Sequence, residues 1–435
     1  MRKWMLAGIA ALVVAAMMGH AHAGDTGKAS AGILVTQDQR AMEAKARRLL
    51  RAPAVQQEIF RSVTYLKGVR AGNSADDRTE RDSYVHDLAY GLALIVVDSD
   101  PDRPRILWDE FPGAHWGYEN PDNVYRYFPV SPDARYQIIG RLGTSDHVSF
   151  QLSDGGGQMS GHLDNVVGHL ASEDLRVAPD GSFSVALGPD AADGRPNYLQ
   201  LVAGAKQVMI RDTMSDWSEV PMTLQVRRVG GPPHRAPTDD ELTERIASAL
   251  AASVKLWVQV TEKYNYAVAP NTLPSPIATG HGGLPGQYLT TGNFDLTDDQ
   301  ALVITARKGT ARYLGFELGS NWYISFEYAA HSSSLSNGQA AANPDGSYTY
   351  VIALRDPGVA NWLDPVGHHT GLTLMRWQGL NGPLKPEDAP VVKLVNIADL
   401  PQALPPGTPI TTPAERHRQM LQRQHQVECR RSAQP

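Results

Sequence analysis

One stretch of this sequence occurs twice, and that repetition constrains the fold more than any other feature. Residues 128–152 (FPVSPDARYQIIGRLGTSDHVSFQL) align without a gap to residues 294–318 (FDLTDDQALVITARKGTARYLGFEL), at an offset of 166. The identical aligned pairs are Phe128/Phe294, Asp133/Asp299, Ile138/Ile304, Arg141/Arg307, Gly143/Gly309, Thr144/Thr310, Phe150/Phe316 and Leu152/Leu318. Matches further along keep an offset of 165 and include Gly181/Gly346 and Arg211/Arg376. So constant an offset indicates an internal duplication of one structural unit.

Each copy has the pattern of short β-strands joined by tight turns. Apolar residues alternate with polar ones over 148–152 and again over 183–187, the period of a half-buried strand. The Asp-Gly pairs at 180–181 and 345–346 are hairpin signals, because glycine accepts the positive φ of a tight turn. We therefore predict a mainly β fold with accessory helices (α+β), built from two tandem antiparallel β-sandwich or jelly-roll-like units, each preceded by helices.

Helix signals divide the rest of the chain. Capping boxes at 36–39 and 238–241 predict helix starts, and the second opens a stripe at helical period from Leu242 to Trp257. The segment LAYGLALIVVDSD (88–100) is predicted as one or two strands or a short helix. Residues 411–435 predict a basic, solvated helix without an apolar stripe. The predicted parts are a signal peptide (1–23), a first unit (24–230), a second unit (231–410) and the basic helical tail (411–435).

The N-terminal residues have the anatomy of a secretory signal peptide. Arg2 and Lys3 precede an apolar run over 6–18, and the small-x-small site at 21–23 predicts cleavage after Ala23. We therefore expect a periplasmic or secreted protein without a membrane span. A net charge of −6 argues against a nucleic-acid partner. Cys429 is the sole cysteine, so no internal disulfide is expected.

The second copy carries a pattern with a family resemblance. It comprises Ser334–Asn337, Asp345-Gly346-Ser347, an apolar run to Ile352, Pro357, Asn361-Trp362-Leu363 and Arg376-Trp377. This pattern resembles the bacterial domain-of-unknown-function family 1214. The first copy matches more weakly, with Asn197-Tyr198 in place of Asn-Trp and Thr213 near the second aromatic position. The resemblance implies a β-rich, jelly-roll-like fold and carries over no catalytic residue.

The repeated polar residues have two interpretations. Arg211 and Arg376 end apolar strands at the same repeat position. Each is either a guanidinium that binds a ligand or half of a structural ion pair with Asp180/Asp345 or Asp190/Asp356. A residue kept in both copies favours the structural interpretation. The Asn-aromatic pairs at 197–198 and 361–362 are likewise either a stacking surface for a flat ligand or a plug at the end of a sandwich.

The residues that are not repeated offer more specific candidates. His331 and His368 are candidate catalytic residues. Asp109 and Glu110 lie in an aromatic-rich loop that is either a carbohydrate cleft or simply a Pro/Gly loop with exposed aromatic residues. The predicted ligand-binding residues are Trp108, Trp116, Trp322, Tyr328, Trp362, Arg376 and Arg211. No motif with metal-ligand spacing is present, so we expect no metal site and no cofactor.

Three functions remain open on this basis. The preferred one is an exported protein that binds a small molecule or a carbohydrate. An alternative is a hydrolase or lyase acting on a carbohydrate or lipophilic substrate, which would use His331, His368 and Asp109 or Glu110. A second alternative is a structural or assembly protein that uses the basic tail. Oligomeric state does not follow from the sequence.

Overall fold

The first repeat folds into two sheets that share a core. The computed structural model describes residues 37–108, 117–155, 159–279 and 283–431. The strands of the first repeat are β1 (Leu107–Trp108), β2 (Asn123–Pro129), β3 (Arg135–Arg141), β4 (His147–Ser153), β5 (Val166–Ala171), β6 (Ser182–Gly188), β7 (Tyr198–Gln200), β8 (Gln207–Thr213) and β9 (Thr223–Gly230). They form one sheet of order β1-β2-β8-β4-β5 and a second of order β7-β6-β3-β9.

The second repeat reproduces this topology. Its strands are β10 (Ile277–Ala278), β11 (Tyr288–Asp295), β12 (Gln300–Ala306), β13 (Tyr313–Ser320), β14 (Ile324–Ser325), β15 (Ser334–Ser336), β16 (Tyr348–Ile352), β17 (Trp362–Leu363), β18 (Thr370–Gln378) and β19 (Val391–Asn396). One sheet has the order β10-β11-β18-β13-β14, with β15 also paired to β13, and the other has the order β17-β16-β12-β19. The parallel pair β6–β7 recurs as β16–β17. The predicted mainly β fold with accessory helices is confirmed, and the shared strand order is what a duplication predicts.

Apolar residues of alternating strand positions fill the space between the sheets of each repeat. In the first repeat Phe150 contacts Phe183 edge-on, with ring centroids 5.9 Å apart. In the second, Phe316 makes the same kind of contact with Tyr350 at 5.3 Å. All four side chains are buried. Burial of such rings, about 25 cal/mol per Å² of apolar surface, supplies the main driving force for each sandwich.

The repeated Pro-Asp-Gly-Ser phrase forms the same turn in both copies. Asp180 accepts hydrogen bonds from the backbone N–H and hydroxyl of Ser182 and pairs with Arg141 at the end of β3. Asp345 repeats these contacts with Ser347 and Arg307. The following glycines have φ of 82° and 79°. The phrase therefore recurs because the turn needs it.

Four helices pack together in one layer. They are α1 (Gln37–Leu50), α2 (Pro53–Leu66), α3 (Ala75–Val97) and α4 (Asp239–Val260). The predicted capping box at α4 is present, and the predicted stripe of this helix is buried. The other predicted box begins at Thr36, outside the described residues. A shared apolar core joins the four helices, although three precede the first repeat and one precedes the second.

The segment 88–100 differs from its prediction. Residues 88–97 lie in the long helix α3, which begins after the N-cap Ser74, rather than in strands or a short helix. Neighbouring helices bury Leu88, Ala89, Leu92 and Ala93 on several sides, so the segment lacks a helical stripe. A continuous apolar run cannot be assigned to helix or strand by period alone. Among the described residues, no helix has the length and hydrophobicity to cross a membrane.

The C-terminal helix also differs from its prediction. After the short helix α5 (Leu400–Ala403), helix α6 (Pro413–Arg431) is packed against both repeats rather than solvated. Its arginines at 416, 423 and 430, spaced seven residues apart, are all buried. A search for an apolar stripe misses this face, because long arginine side chains form it and bury their stems.

Two of these arginines bridge the repeats. Arg423 donates to the backbone carbonyl of Tyr328 and, at 2.7 Å, to the hydroxyl of Ser334, both in the second repeat. Its guanidinium lies 4.0 Å from the ring of Trp217 in the first repeat. Arg430 lies over the same ring and donates to the carbonyl of Pro121 at 2.8 Å. Helix α6 therefore fastens the two repeats together.

The packing of α6 predicts that replacing a buried arginine of this helix lowers the stability of the protein strongly, whereas replacing an exposed one has little effect. Arg423→Ala should lower the free energy of unfolding by about 3 kcal/mol, because it removes charge-assisted hydrogen bonds and leaves buried acceptors unpaired. Arg418→Ala, at an exposed position of the same helix, should change it by less than about 0.5 kcal/mol. Urea denaturation measures both values. Similar losses for the two variants would contradict the packing of α6.

Candidate functional site

The first repeat carries polar side chains on the outer face of its five-stranded sheet. Tyr125, Arg211 and Ser149 lie side by side across β2, β8 and β4. Gln151 and His169 form the next row across β4 and β5. Neighbours in the sequence, such as Phe150 and Ile210, point into the sandwich core. We call these five polar residues the central polar face.

The middle of this face is buried, whereas Tyr125 and His169 at its two sides are half-buried. Ser149 and Gln151 are fully buried, and Arg211 is 6% exposed. Ser149 Oγ, Gln151 Nε2 and His169 Nε2 are buried and have no hydrogen-bond partner among the described residues. Burying a polar group without a partner costs roughly 1–3 kcal/mol. Three such groups on one sheet face indicate a surface adapted to something other than packing.

The second repeat shows what the same positions look like when they are fully paired. Gln151 and Glu317 are aligned in the two copies, as are Arg211 and Arg376. In the second repeat Arg376 donates to the Glu317 carboxylate and, at 2.9 Å, to the carbonyl of Tyr118. Burial raises the pKa of Glu317, and the charge of Arg376 opposes that rise. The two charges neutralise each other in the protein interior.

In the first repeat the carboxylate is replaced by an amide. Arg211 Nη1 donates to Gln151 Oε1 at 2.7 Å, and its guanidinium lies 5.5 Å from the ring of Tyr125. Within the described part of the chain Arg211 forms no ion pair. The predicted pairings of Arg211 and Arg376 with Asp180/Asp345 or Asp190/Asp356 are wrong. Asp180 pairs with Arg141, Asp345 with Arg307, Asp190 with Arg135 and Asp356 with Arg416.

His169, the histidine of this face, adds no charge at neutral pH. Burial, followed by the positive charges of Arg211 and His147, lowers the pKa of His169 to about 4. Burial also lowers the pKa of His147, and the Glu173 carboxylate only partly opposes this. Arg211 therefore gives the central polar face a positive charge.

Polar contacts between the repeats surround this face. The hydroxyl of Thr213 donates to Gln378 Oε1 at 3.1 Å, and these two positions are equivalent in the duplication. Tyr313 of the second repeat donates to the buried carboxylate of Asp122 at 2.7 Å. Asn120 Nδ2 donates to the same tyrosine oxygen at 2.9 Å. The outer faces of the two repeats thus meet through buried polar groups, in contrast to their apolar cores.

The predicted catalytic residues occupy separate places. His331 lies 2.8 Å from Asp364 and is partly exposed. His368 is buried, 3.1 Å from Glu80. Burial lowers the pKa of His368, but the carboxylates of Glu80, Asp77 and Asp76 outweigh it and raise the pKa. No contact among the described residues joins the two histidines. Asp109 and Glu110, together with Trp116, lie outside the described residues.

Most of the predicted aromatic ligands contact the protein itself. Trp322 is buried in the helical core, where its ring stacks on Tyr84 at 5.9 Å. Tyr328 is buried edge-on against Trp217 at 5.8 Å. Trp362 donates its indole N–H to the carbonyl of Ala353 at 2.8 Å. Trp108 is half-buried on β1, and its Nε1 has no partner among the described residues.

The repeated asparagines hold backbone segments in both copies. Asn197 accepts from the N–H of Arg176 and donates to its carbonyl, both at 2.7 Å. Asn361 makes the same two contacts with Ala341, at 2.7 and 2.8 Å. Sequence reasoning missed the partners of Arg211, although an alignment of the copies contains the signal, since glutamine stands opposite glutamate there.

Comparisons with known proteins show a similar fold and assign no activity. Models of known protein families give no match, and curated proteins give none either. Among solved structures, the chain is similar to an uncharacterised protein from Burkholderia cenocepacia at 27% identity and a TM-score of 0.72, over 81% of this chain and 99% of that one. A Vibrio parahaemolyticus protein matches at 11% identity and a TM-score of 0.42, over 72% of this chain and 98% of that one. The resemblance to family 1214 stays a prediction.

The Arg376–Glu317 ion pair of the second repeat predicts that the stability of the protein depends strongly on the Glu317 carboxylate. Glu317→Gln converts this pair to the arrangement of the first repeat and leaves Arg376 charged and buried. We expect the free energy of unfolding to fall by about 3–5 kcal/mol. Glu244→Gln, at an exposed position of α4, should cost less than about 0.5 kcal/mol. An unchanged denaturation midpoint for Glu317→Gln would contradict the pairing.

The lowered pKa of His169 predicts a pH effect. The unfolded chain protonates this histidine near pH 6.5, whereas the folded chain does so only near pH 4. Stability contributed by the neutral imidazole is therefore present above pH 6.5 and is lost as the pH falls towards 4. The variant His169→Gln cannot titrate and should lose less stability over that interval. Denaturation at pH 7, 5.5 and 4 measures this, and equal pH dependence in both proteins would contradict it.

Proposed function

We propose that this chain is an exported binding protein for a small anionic ligand, an organic acid or an acidic sugar, bound against the central polar face. One observation carries the proposal. Arg211 keeps the position of the paired Arg376, but the carboxylate that neutralises Arg376 has become the amide of Gln151. A ligand carboxylate bound there would supply the group that the second repeat has built in.

The groups on the face suit such a ligand. Gln151 Nε2 and the Ser149 hydroxyl are buried donors without partners among the described residues, and Arg211 supplies positive charge. Arginine matches carboxylate geometry because its guanidinium presents several N–H donors in one plane. The ring of Tyr125 borders the guanidinium and offers an apolar surface for the body of the ligand. Donors near a buried charge also favour specificity, since a neutral analogue would leave them unpaired.

Binding is supported over catalysis by the positions of the histidines. The alternative of a hydrolase or lyase requires nonrepeated histidines and carboxylates to converge within hydrogen-bond reach. His331 and His368 instead have different carboxylate partners, Asp364 and Glu80. The assembly alternative depended on a solvated basic tail, and three arginines of α6 are buried. The proposal that the protein is exported is based on the signal-peptide pattern of residues 1–23.

A panel of matched ligands tests the proposal. Calorimetry and thermal shift would compare short mono- and dicarboxylates and uronic acids with their amides and with neutral sugars. We expect one or more of the acids to bind and to raise the melting temperature, while the corresponding neutral compounds do not. Neutral sugars that bind as tightly as their acids would contradict an anionic site.

The duplication supplies the decisive variant. Gln151→Glu gives Arg211 the same partner that Arg376 has, so it should raise the melting temperature of the free protein and weaken acid binding at least about 30-fold. The control Gln225→Glu adds the same charge at an exposed position of β9 and should bind normally. Unchanged acid affinity in Gln151→Glu would exclude the central polar face as the site.

A further inference from the structure

Two distant segments bring metal-ligating side chains together outside the central polar face. Asp77 and Glu80 lie three residues apart in the first turns of α3, so their side chains share one face of the helix. His368 lies in the turn between β17 and β18. One ligand atom from each residue lies within 4.8 Å of the other two.

The imidazole of His368 is oriented like that of a metal ligand. Its Nδ1 lies 3.2 Å from the carbonyls of Pro365 and Val366, which only an N–H can satisfy. The other nitrogen, Nε2, therefore faces the carboxylates. It is buried, lies 3.1 Å from Glu80 Oε1, and has no well-formed hydrogen bond among the described residues. The ring of Phe326, with its centroid 4.5 Å away, packs against the imidazole.

The carboxylate of Asp77 is also held in place. Asn321 donates to it twice, from Nδ2 at 2.6 Å and from the backbone N–H at 3.3 Å. Asp77 is fully buried, so an unpaired charge there is costly unless a cation neutralises it. Carboxylate oxygens accept more than one contact, and these two bonds leave lone pairs for an ion. Outer contacts of this kind orient the ligands of metal sites.

Glu80 provides access to this cluster. Its side chain is 36% exposed, whereas those of Asp77 and His368 are buried. An ion and its waters can reach the cluster from this side. Two carboxylates and one imidazole form a mixed oxygen and nitrogen donor set, which suits Zn²⁺ or Mn²⁺ better than Mg²⁺ or Ca²⁺. Three protein ligands leave further coordination positions to water.

We propose that Asp77, Glu80 and His368 form a binding site for one divalent transition-metal ion. The ion ties the first turns of α3, in the helical layer, to the turn that leads into β18 of the second repeat. It neutralises two carboxylates that would otherwise repel each other. This site is separate from the anion site at Arg211 and does not depend on it.

Metal titration of the full chain tests the site. After dialysis against EDTA, ZnCl₂, MnCl₂, MgCl₂ and CaCl₂ are added separately, and binding is followed by calorimetry, elemental analysis and thermal shift. We expect one Zn²⁺ or Mn²⁺ per chain and a melting temperature that rises with its concentration. No stoichiometric binding of either ion would overturn the proposal and leave the cluster as a His–carboxylate ion pair.

Adjacent histidines provide a matched pair of variants. His368→Gln should weaken Zn²⁺ binding at least tenfold. His369→Gln should bind normally, because His369 pairs with Asp298 at 3.1 Å. If His368→Gln fails to fold, Glu80→Gln at the partly exposed position should show the same loss. Unchanged Zn²⁺ affinity in Glu80→Gln, or an equal loss in His369→Gln, would overturn the assignment.

Discussion

A buried ion pair between Arg376 and Glu317 of the second repeat lies at the centre of one contact between the two repeats. Arg376 uses its second Nη to hold the carbonyl of Tyr118, and the hydroxyl of Tyr118 donates to the backbone carbonyls of Glu317 and Leu372. The segment around Tyr118, which leads into β2 of the first repeat, is thereby attached to strands β13 and β18 of the second repeat. Burying two charges is unfavourable unless geometry and further hydrogen bonds compensate, and this cluster provides both. The interface is therefore specific, since a shifted position of the first repeat would break the hydrogen bonds that Tyr118 makes with Arg376, Glu317 and Leu372.

The duplication places two versions of the same contact in one chain, one with a carboxylate partner and one with an amide partner. The second repeat keeps the complete pair, and this leaves the first repeat free to change Gln151 without separating the sandwiches. Two neighbouring β-strands position the pair in each copy, so a single carboxylate-to-amide change leaves its geometry nearly intact. The two equivalent sheets therefore differ in charge at this contact. The repeated Asp, Asn and Arg residues at the turns changed little, because each satisfies backbone or charge within its own copy.

The fold was largely predictable from sequence, and the sites were not. Strict alternation and Asp-Gly turns identify strands because their signals are local, and the Thr238 capping box identified α4 for the same reason. The apolar run of α3 was ambiguous because burial on several sides removes its period. In the sequence, the arginines of α6 have the pattern of a solvated face, because their aromatic partners are distant along the chain and only the structure identifies them. Asp77 and His368 are separated by most of the chain, so only tertiary structure reveals that they meet.

Helix α6 has a consequence for the order in which the molecule is completed. It follows the strands of both repeats that the structure describes, yet Arg423 and Arg430 supply contacts that span both repeats. During synthesis each sandwich can form from its own strands, but this joint closes only after the final helix has emerged. Until then no guanidinium covers the ring of Trp217. The unfinished chain can already join its two repeats through the contacts of Arg376, Tyr313 and Thr213, but it lacks the contacts of α6 that fasten both repeats until that helix has been made.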